Sequence, residues 1–169
     1  GERGLFNRAA ARSVVARNGR RDPEWEFGCN PCSEIILRPN QFCNLTEVVV
    51  RPKDTIAVLK DKVRMATILG TLQSTLTDFK YIRKVWTTNT EEERLLGVSL
   101  TGIMDHKLLS GGERGKVQSP NLQQILEELK DVAIQTNKEW ADKLGIPAST
   151  AITCVKPSGT VSQLVDSAS

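Results

Sequence analysis

The chain has 169 residues, 39% hydrophobic and 25% charged with a net charge of +3, which allows one ordinary core and is unlike a disordered or fibrous sequence. It contains no run of 18 apolar residues and no basic segment leading into an apolar stretch, so neither a membrane-spanning helix nor a secretory leader is expected. The densest basic stretch, Arg8 to Arg21, holds no aromatic residue; a solvated helix face is expected there rather than a nucleic-acid surface, and anionic phosphate substrates stay compatible with it.

In chain order, Leu5, Phe6, Ala9, Ala10 and Val14 recur at helical spacing and predict a helix over about 5–18, stopped by Asn18-Gly19. Residues 19–33 carry Gly19, Pro23, Gly28, Asn30 and Pro31 and read as a loop. Cys43 to Val50 is rich in β-branched residues and predicts a strand. Asp54 is placed to cap a long helix with Ile56, Leu59, Val63, Ala66, Leu72 and Leu76 on one face. A second helical stretch covers about 80–95 and ends at Gly97, and Val98 to Ile103 reads as a short buried strand or the turn leading from one.

Gly111-Gly112 and Gly115 mark a further loop. Ser119 as N-cap and Pro120 at the first helical position start the best-defined helix, with Leu122, Ile125, Leu126, Leu129, Val132, Ala133 and Trp140 facing the core and Gly145 ending it. Thr150 to Val155 reads as a buried strand. This order of elements predicts crossover units and a parallel sheet, hence an α/β architecture. The chain opens at Gly1 without a Met and stops at Ser169 with no closing element, so it reads as an internal, incomplete piece of a longer protein.

Four cysteines stand at 29, 32, 43 and 154. Three of them cluster in an otherwise well-patterned chain, which points to redox chemistry or metal in a reducing compartment, the cytoplasm. Cys29-x-x-Cys32 has the spacing of a thiol-redox pair. It also has zinc-ligand spacing, with Cys43 as a third ligand and Cys154 or His106 as a fourth, although no second paired motif accompanies it. Cys154 suits a small core hydrophobe equally well, and His106 a surface or internally satisfied histidine.

Asn30, Cys32 and Glu34 are spaced by two, so an extended segment would point all three the same way. A thiol between an amide and a carboxylate can hold a polar substrate over sulfur, with Glu34 as general base and Asn30 orienting a hydroxyl. An exposed strand face with incidental polar residues has the same spacing. Further on, Pro157-Ser158-Gly159-Thr160-Val161-Ser162 offers hydroxyls and backbone amides after a strand, and a helix starting at Thr160 would favour anions; a plain strand-to-helix turn uses the same residues.

Asn30-Pro31-Cys32-Ser33-Glu34 resembles the finger-loop signature Asn-x-Cys-x-Glu of the ribonucleotide reductases. Cys43, eleven residues on, matches a reducing cysteine of the adenosylcobalamin-dependent (class II) monomeric ribonucleoside-triphosphate reductases. The likeness continues through Cys43 to Val48, Leu96 to Ile103 and Val155 to Ser162. Gly1-Glu2-Arg3-Gly4 resembles a Gly-Glu-Pro-Gly stretch with Arg3 replacing the proline.

The resemblance implies part of a ten-stranded α/β barrel with a central finger loop, at about 28–43, and a loop at about 156–162 that receives substrate phosphate. It implies that Cys32 becomes the thiyl radical, Glu34 takes the 3′-hydroxyl proton, Asn30 holds the ribose hydroxyls and Cys43 supplies reducing equivalents. Adenosylcobalamin is the implied cofactor, a ribonucleoside triphosphate the substrate and a thioredoxin-type reductant the partner. Cys29 stands where many relatives lack a thiol and has no implied role. The partner of Cys43, the cysteines that relay electrons and the allosteric site are expected outside this sequence, so the isolated chain is expected to be inactive and, with open strand edges, poorly soluble.

Overall fold

Two parallel strands set the frame. A computed structural model describes residues 4–111 and 120–168, and in it β3 (Asn44–Val49) pairs with β4 (Leu96–Thr101) in register from Asn44 opposite Leu96 to Val49 opposite Thr101. Between them run α2 (Ile56–Gln73) and α3 (Lys84–Glu93), so the connection is the crossover that parallel pairing demands. Residues 151–154 lie along the other edge of β4. Leu96 N–H donates to Ala151, Val98 N–H to Ile152, and Cys154 N–H to Val98, with one parallel bridge between Val98 and Thr153. This is the strand expected at 150–155, but it is irregular and only partly buried, with Val155 82% exposed.

The two faces of the β3–β4 pair differ. A side chain at Gly70 of α2 would touch Leu96 and the methyl of Thr46, so α2 covers the face bearing Thr46, Val48 and Leu96. Leu59, Val63 and Ala66 close that core together with Leu129 and Ala133 of α4 (Pro120–Leu144). By strand alternation Leu45 and Glu47, paired with Gly97 and Ser99, lie on the opposite face, which no helix of the described residues covers in this way.

The helix ends follow their capping residues. α1 (Arg8–Asn18) is capped by the Asn7 side chain and stopped by Gly19 at φ +62, and α4 runs into Gly145 at φ +66. Thr55 rather than Asp54 caps α2, by accepting from Val58 N–H. Asp54 accepts from Arg51 N–H and pairs with Lys62, which tightens the preceding turn. The Ser119 cap and the glycines at 112 and 115 lie outside the described residues.

Several expected apolar faces are rotated. In α1 the buried stripe is Ala11 and Val15 while Val14 is exposed, since one residue around a helix is about 100° and neighbouring stripes compete closely; Leu5 and Phe6, also exposed, precede the helix, which starts at Arg8. In α2 the buried stripe continues through Thr67, Gly70 and Thr71, because each threonine hydroxyl donates to the carbonyl one turn back and so enters the core satisfied. Leu72 and Leu76 are exposed instead, and so is Leu126 of α4. α3 ends at Arg94, which takes the left-handed conformation, and Gly97 lies inside β4 rather than after a helix. No helix among the described residues is long and apolar enough to cross a membrane.

The basic stretch is not wholly solvated. Arg8 pairs with Glu26 and Arg12 with Glu24 at the surface, but Arg21 is buried. Its guanidinium grips both oxygens of Glu93 at 2.5 and 2.9 Å and donates to the carbonyl of Ile36 at 2.8 Å. The Gln41 amide also donates to Glu93. This cluster fastens residues 19–41 to the end of α3.

Candidate functional site

Gly28–Cys29 (β1) and Ile36–Leu37 (β2) pair antiparallel, so the expected loop is a short hairpin whose tip is residues 30–35. Ser33 sits at φ +64, its N–H donates to the Asn30 carbonyl, and the Ile35 N–H donates to Asn30 Oδ1 at 3.0 Å. The extended arrangement expected for Asn30, Cys32 and Glu34 is therefore corrected: a turn, not a pleat, brings them together. Asn30 Oδ1 is spent on closing that turn, so Nδ2 is the group of Asn30 that faces Glu34.

The tip presents its groups unequally. Cys32 is exposed, whereas the Glu34 side chain has 0% exposure. Lys156, which is 28% exposed, donates to Glu34 Oε1 at 2.9 Å and lies 4.0 Å from Cys32 Sγ. Glu34 Oε2 is buried and has no hydrogen-bond partner among the described residues. Burial alone would push the Glu34 carboxyl up. The bond from Lys156, its own backbone N–H, the nearby Asn30 amide and the ammonium charge together outweigh burial and hold it below the usual range.

Behind the tip lie two further thiols. Cys154 Sγ is 3.1 Å from the position a Cβ on Gly97 would take, beside Ile35 and Leu45, so it lies on the open face of the β3–β4 pair. Cys43 enters β3 and is half-buried. Burial, and then the negative charge of Glu34, pushes the Cys43 thiol up and the Cys154 thiol to about 11. Cys29 turns away: its sulfur donates to Ser33 Oγ at 3.5 Å. All four cysteines are free.

Lys156 also donates its backbone N–H to Ser99 Oγ at 3.0 Å. After it, Thr160–Leu164 forms α5. Ser158 Oγ accepts from Ser162 N–H, and Ser162 Oγ donates back to the Ser158 carbonyl, so these two hydroxyls shape the loop. A Cβ on Gly159 would meet nothing within 4 Å, which leaves the backbone there open to approach.

The structure thus unites Asn30, Cys32, Glu34 and Cys43 with Cys154, read from sequence as a zinc ligand or a core residue, and with Lys156, read only as the first residue of the 156–162 loop. Lys156 carried only one signal, its place just before Pro157. The zinc reading finds no geometry. His106 is buried, its Nε2 2.9 Å from the Asp54 carbonyl and its Nδ1 accepting from Leu109 N–H. Among the described residues no three His, Cys, Asp or Glu side chains are grouped to hold a metal ion.

Comparison with known proteins finds no matching family model. The chain is similar to the adenosylcobalamin-dependent ribonucleoside-triphosphate reductase of Lacticaseibacillus paracasei, 31% identical over 97% of this chain and 24% of that protein. It is also similar to the enzyme of the same name from Lactobacillus acidophilus, 30% identical over 81% of this chain and 21% of that protein. The crystal structure of a B-12 dependent (class II) ribonucleotide reductase superposes on 83% of this chain and 22% of that one, with a TM-score of 0.63 at 24% identity. The chain therefore spans about a quarter of the length of the curated relatives it matches.

Proposed function

We propose that this chain, which belongs to the adenosylcobalamin-dependent ribonucleotide reductases as a segment about a quarter of their length, is the part that carries the substrate-radical site. On this reading β3, β4 and residues 151–154 are neighbouring strands of the ten-stranded α/β barrel. The hairpin at 28–37 is the tip of the finger loop, and the open face of the sheet is the barrel interior. The single observation that carries the reading is an exposed thiol, Cys32, beside a buried carboxylate, Glu34, whose second oxygen is unoccupied.

The chemistry follows from where each group sits. Cys32 loses its thiol hydrogen and, as a thiyl radical, removes the 3′ hydrogen of a ribonucleoside triphosphate. Glu34, held ionised, accepts the 3′-hydroxyl proton at Oε2 as the 2′-hydroxyl leaves with a proton as water. The Asn30 Nδ2 group orients the ribose hydroxyls. Cys43 and a second thiol outside this chain supply two electrons and two protons, one proton to the departing water and one hydrogen to C2′, and end as a disulfide; Glu34 returns its proton to the 3′-oxygen and Cys32 its hydrogen to C3′. The raised titration of Cys43 keeps it as S–H, the form that can deliver hydrogen.

Adenosylcobalamin, when bound, supplies the radical that starts this sequence by homolysis of its cobalt–carbon bond. The chain fits such a partner in one respect: the Cys32 sulfur is exposed at a hairpin tip and reachable from outside. Substrate phosphate is received at Pro157 to Ser162, where Ser158 and Ser162 shape the loop and the N–H groups of Gly159, Thr160 and Val161 are the donors. A thioredoxin-type reductant reduces that disulfide back to thiols through cysteines beyond this chain, in the cytoplasm.

The test joins the chain to the rest of a relative's length and measures 2′-deoxynucleotide formation with adenosylcobalamin. Cys32→Ser abolishes turnover and Cys29→Ser leaves most of it. Equal loss from both would favour a Cys29–Cys32 redox pair and overturn the reading.

A further inference from the structure

A buried carboxylate protonates unless partners hold its charge, and among the described residues the one cation bonded to Glu34 lies 122 residues away along the chain. Lys156 is itself held at both ends, by Ser99 Oγ at its backbone N–H and by Glu34 at Nζ. The hairpin that carries Cys32 and Glu34 has only two residues in each strand, so its own ladder cannot fix where the tip points. The Lys156 side chain reaches both functional groups of that tip.

We propose that Lys156 is a positioning residue of the thiol site, engaging Glu34 through Oε1 beside the Cys32 sulfur so that the carboxylate stays ionised with Oε2 left without a protein hydrogen bond, to be claimed by a substrate hydroxyl. The inference rests on the radical-site reading above for its purpose, but the pairing itself does not. The groups that face Glu34 are Lys156, Cys32 on the tip, Cys43 at the start of β3 and Cys154 beyond β4, with Glu47 on the same face of β3; Lys156 is the one cation among them. A phosphate-binding role for Lys156 would share its ammonium between substrate and the buried carboxylate it holds. That makes a strictly electrostatic grip on substrate the opposing outcome.

The pairing is read in the enzyme restored to full length by carbon-13 NMR of labelled glutamate across an acid titration. The Glu34 carboxyl titrates below the usual range in the parent chain, moves up in Lys156→Met and stays low in Lys156→Arg. If Lys156→Met fails to fold, Glu34→Gln provides the reciprocal measurement, in which the Lys156 ε-carbon titration moves down. A Glu34 midpoint unmoved by Lys156→Met, or a Lys156 midpoint unmoved by Glu34→Gln, overturns the proposal. In the enzyme restored to full length, Lys156→Met lowers kcat roughly tenfold or more with KM changed less than about twofold, moves the acidic limb of the kcat profile up, and is rescued by Lys156→Arg. A raised KM with kcat intact assigns Lys156 to phosphate and overturns it. A parent enzyme without turnover sinks the radical-site reading alone, because the NMR titrations still decide the pair.

Discussion

Arg21 and Glu93, 72 residues apart, form a two-pronged ion pair with side chains only 4% and 2% exposed. The pair joins the segment before the hairpin to the end of α3, and Gln41, Thr150 and the Ile36 carbonyl share its hydrogen bonds. Removing one member leaves the other charge buried. Arg21→Met or Glu93→Gln is expected to destabilise by about 3–5 kcal/mol. Thermal unfolding checks this; at about 2–4 °C per kcal/mol for a chain of this size, the midpoint falls by roughly 6–20 °C.

Gly97 faces the site from β4, where a methyl group would overlap the Leu45 side chain and press on Ile35 and the Cys154 sulfur. Gly97→Ala is expected to cost about 1–3 kcal/mol through overpacking. It is also expected to change the alkylation rate of Cys154 relative to that of Cys29, which lies on the hairpin and bonds Ser33 instead. Chemical denaturation together with peptide-level mass spectrometry measures both. A neutral substitution would mean that Leu45 has room to move.

Alkylation follows the thiolate, so pH ranks the cysteines. Cys154, pushed up by burial and by Glu34, is expected to reach half its maximal rate at about pH 11, with Cys43 also delayed beyond an ordinary thiol. Both folded values are raised, so the stability they contribute is complete below the unfolded thiol value of 9.0 and is lost as pH climbs through the folded one. Glu34→Gln removes a negative neighbour and moves both profiles to lower pH. Profiles unmoved by that change would place the acid's field elsewhere.

Glu34 and Asp54 behave in the opposite sense. Each pays a burial penalty that is outweighed by a lysine, Lys156 for Glu34 and Lys62 for Asp54, and each titrates low. Their contribution is present above the ordinary carboxylate values and is lost as pH falls through the folded ones. Denaturant midpoints are expected to stay flat from neutral pH down to that range and then to decline. Lys62→Met should shift the start of the decline to higher pH.

Local chemistry made much of this fold legible. Gly19 and Gly145 stop helices where they were expected to, the β-branched run after Cys43 is β3, and the helix from Pro120 is the longest in the chain. What failed was nonlocal or hidden in rotamers. Thr67 and Thr71 read as polar but satisfy their hydroxyls within α2 and enter the core. The Asn30–Glu34 segment keeps its residues together through a left-handed Ser33, not through strand alternation. Lys156 and Arg21 find their carboxylates across long stretches of chain, which no spacing rule can reach. Residues 151–154 pair irregularly with β4, and the barrel that the motifs imply needs strands beyond these residues.

The two-residue ladder of the hairpin has one more consequence. With Arg21 fastened at its base and Lys156 at its tip, the Cys32 loop is a cantilever clamped at both ends rather than a self-supporting beam. Releasing the Lys156 clamp would let the sulfur swing independently of the carboxylate while β3 and β4 remain paired. Amide hydrogen exchange would record this as fast opening confined to residues 28–37. Loss of Lys156, far from the thiol in sequence, can therefore blunt its aim and leave the melting curve of the sheet nearly unchanged.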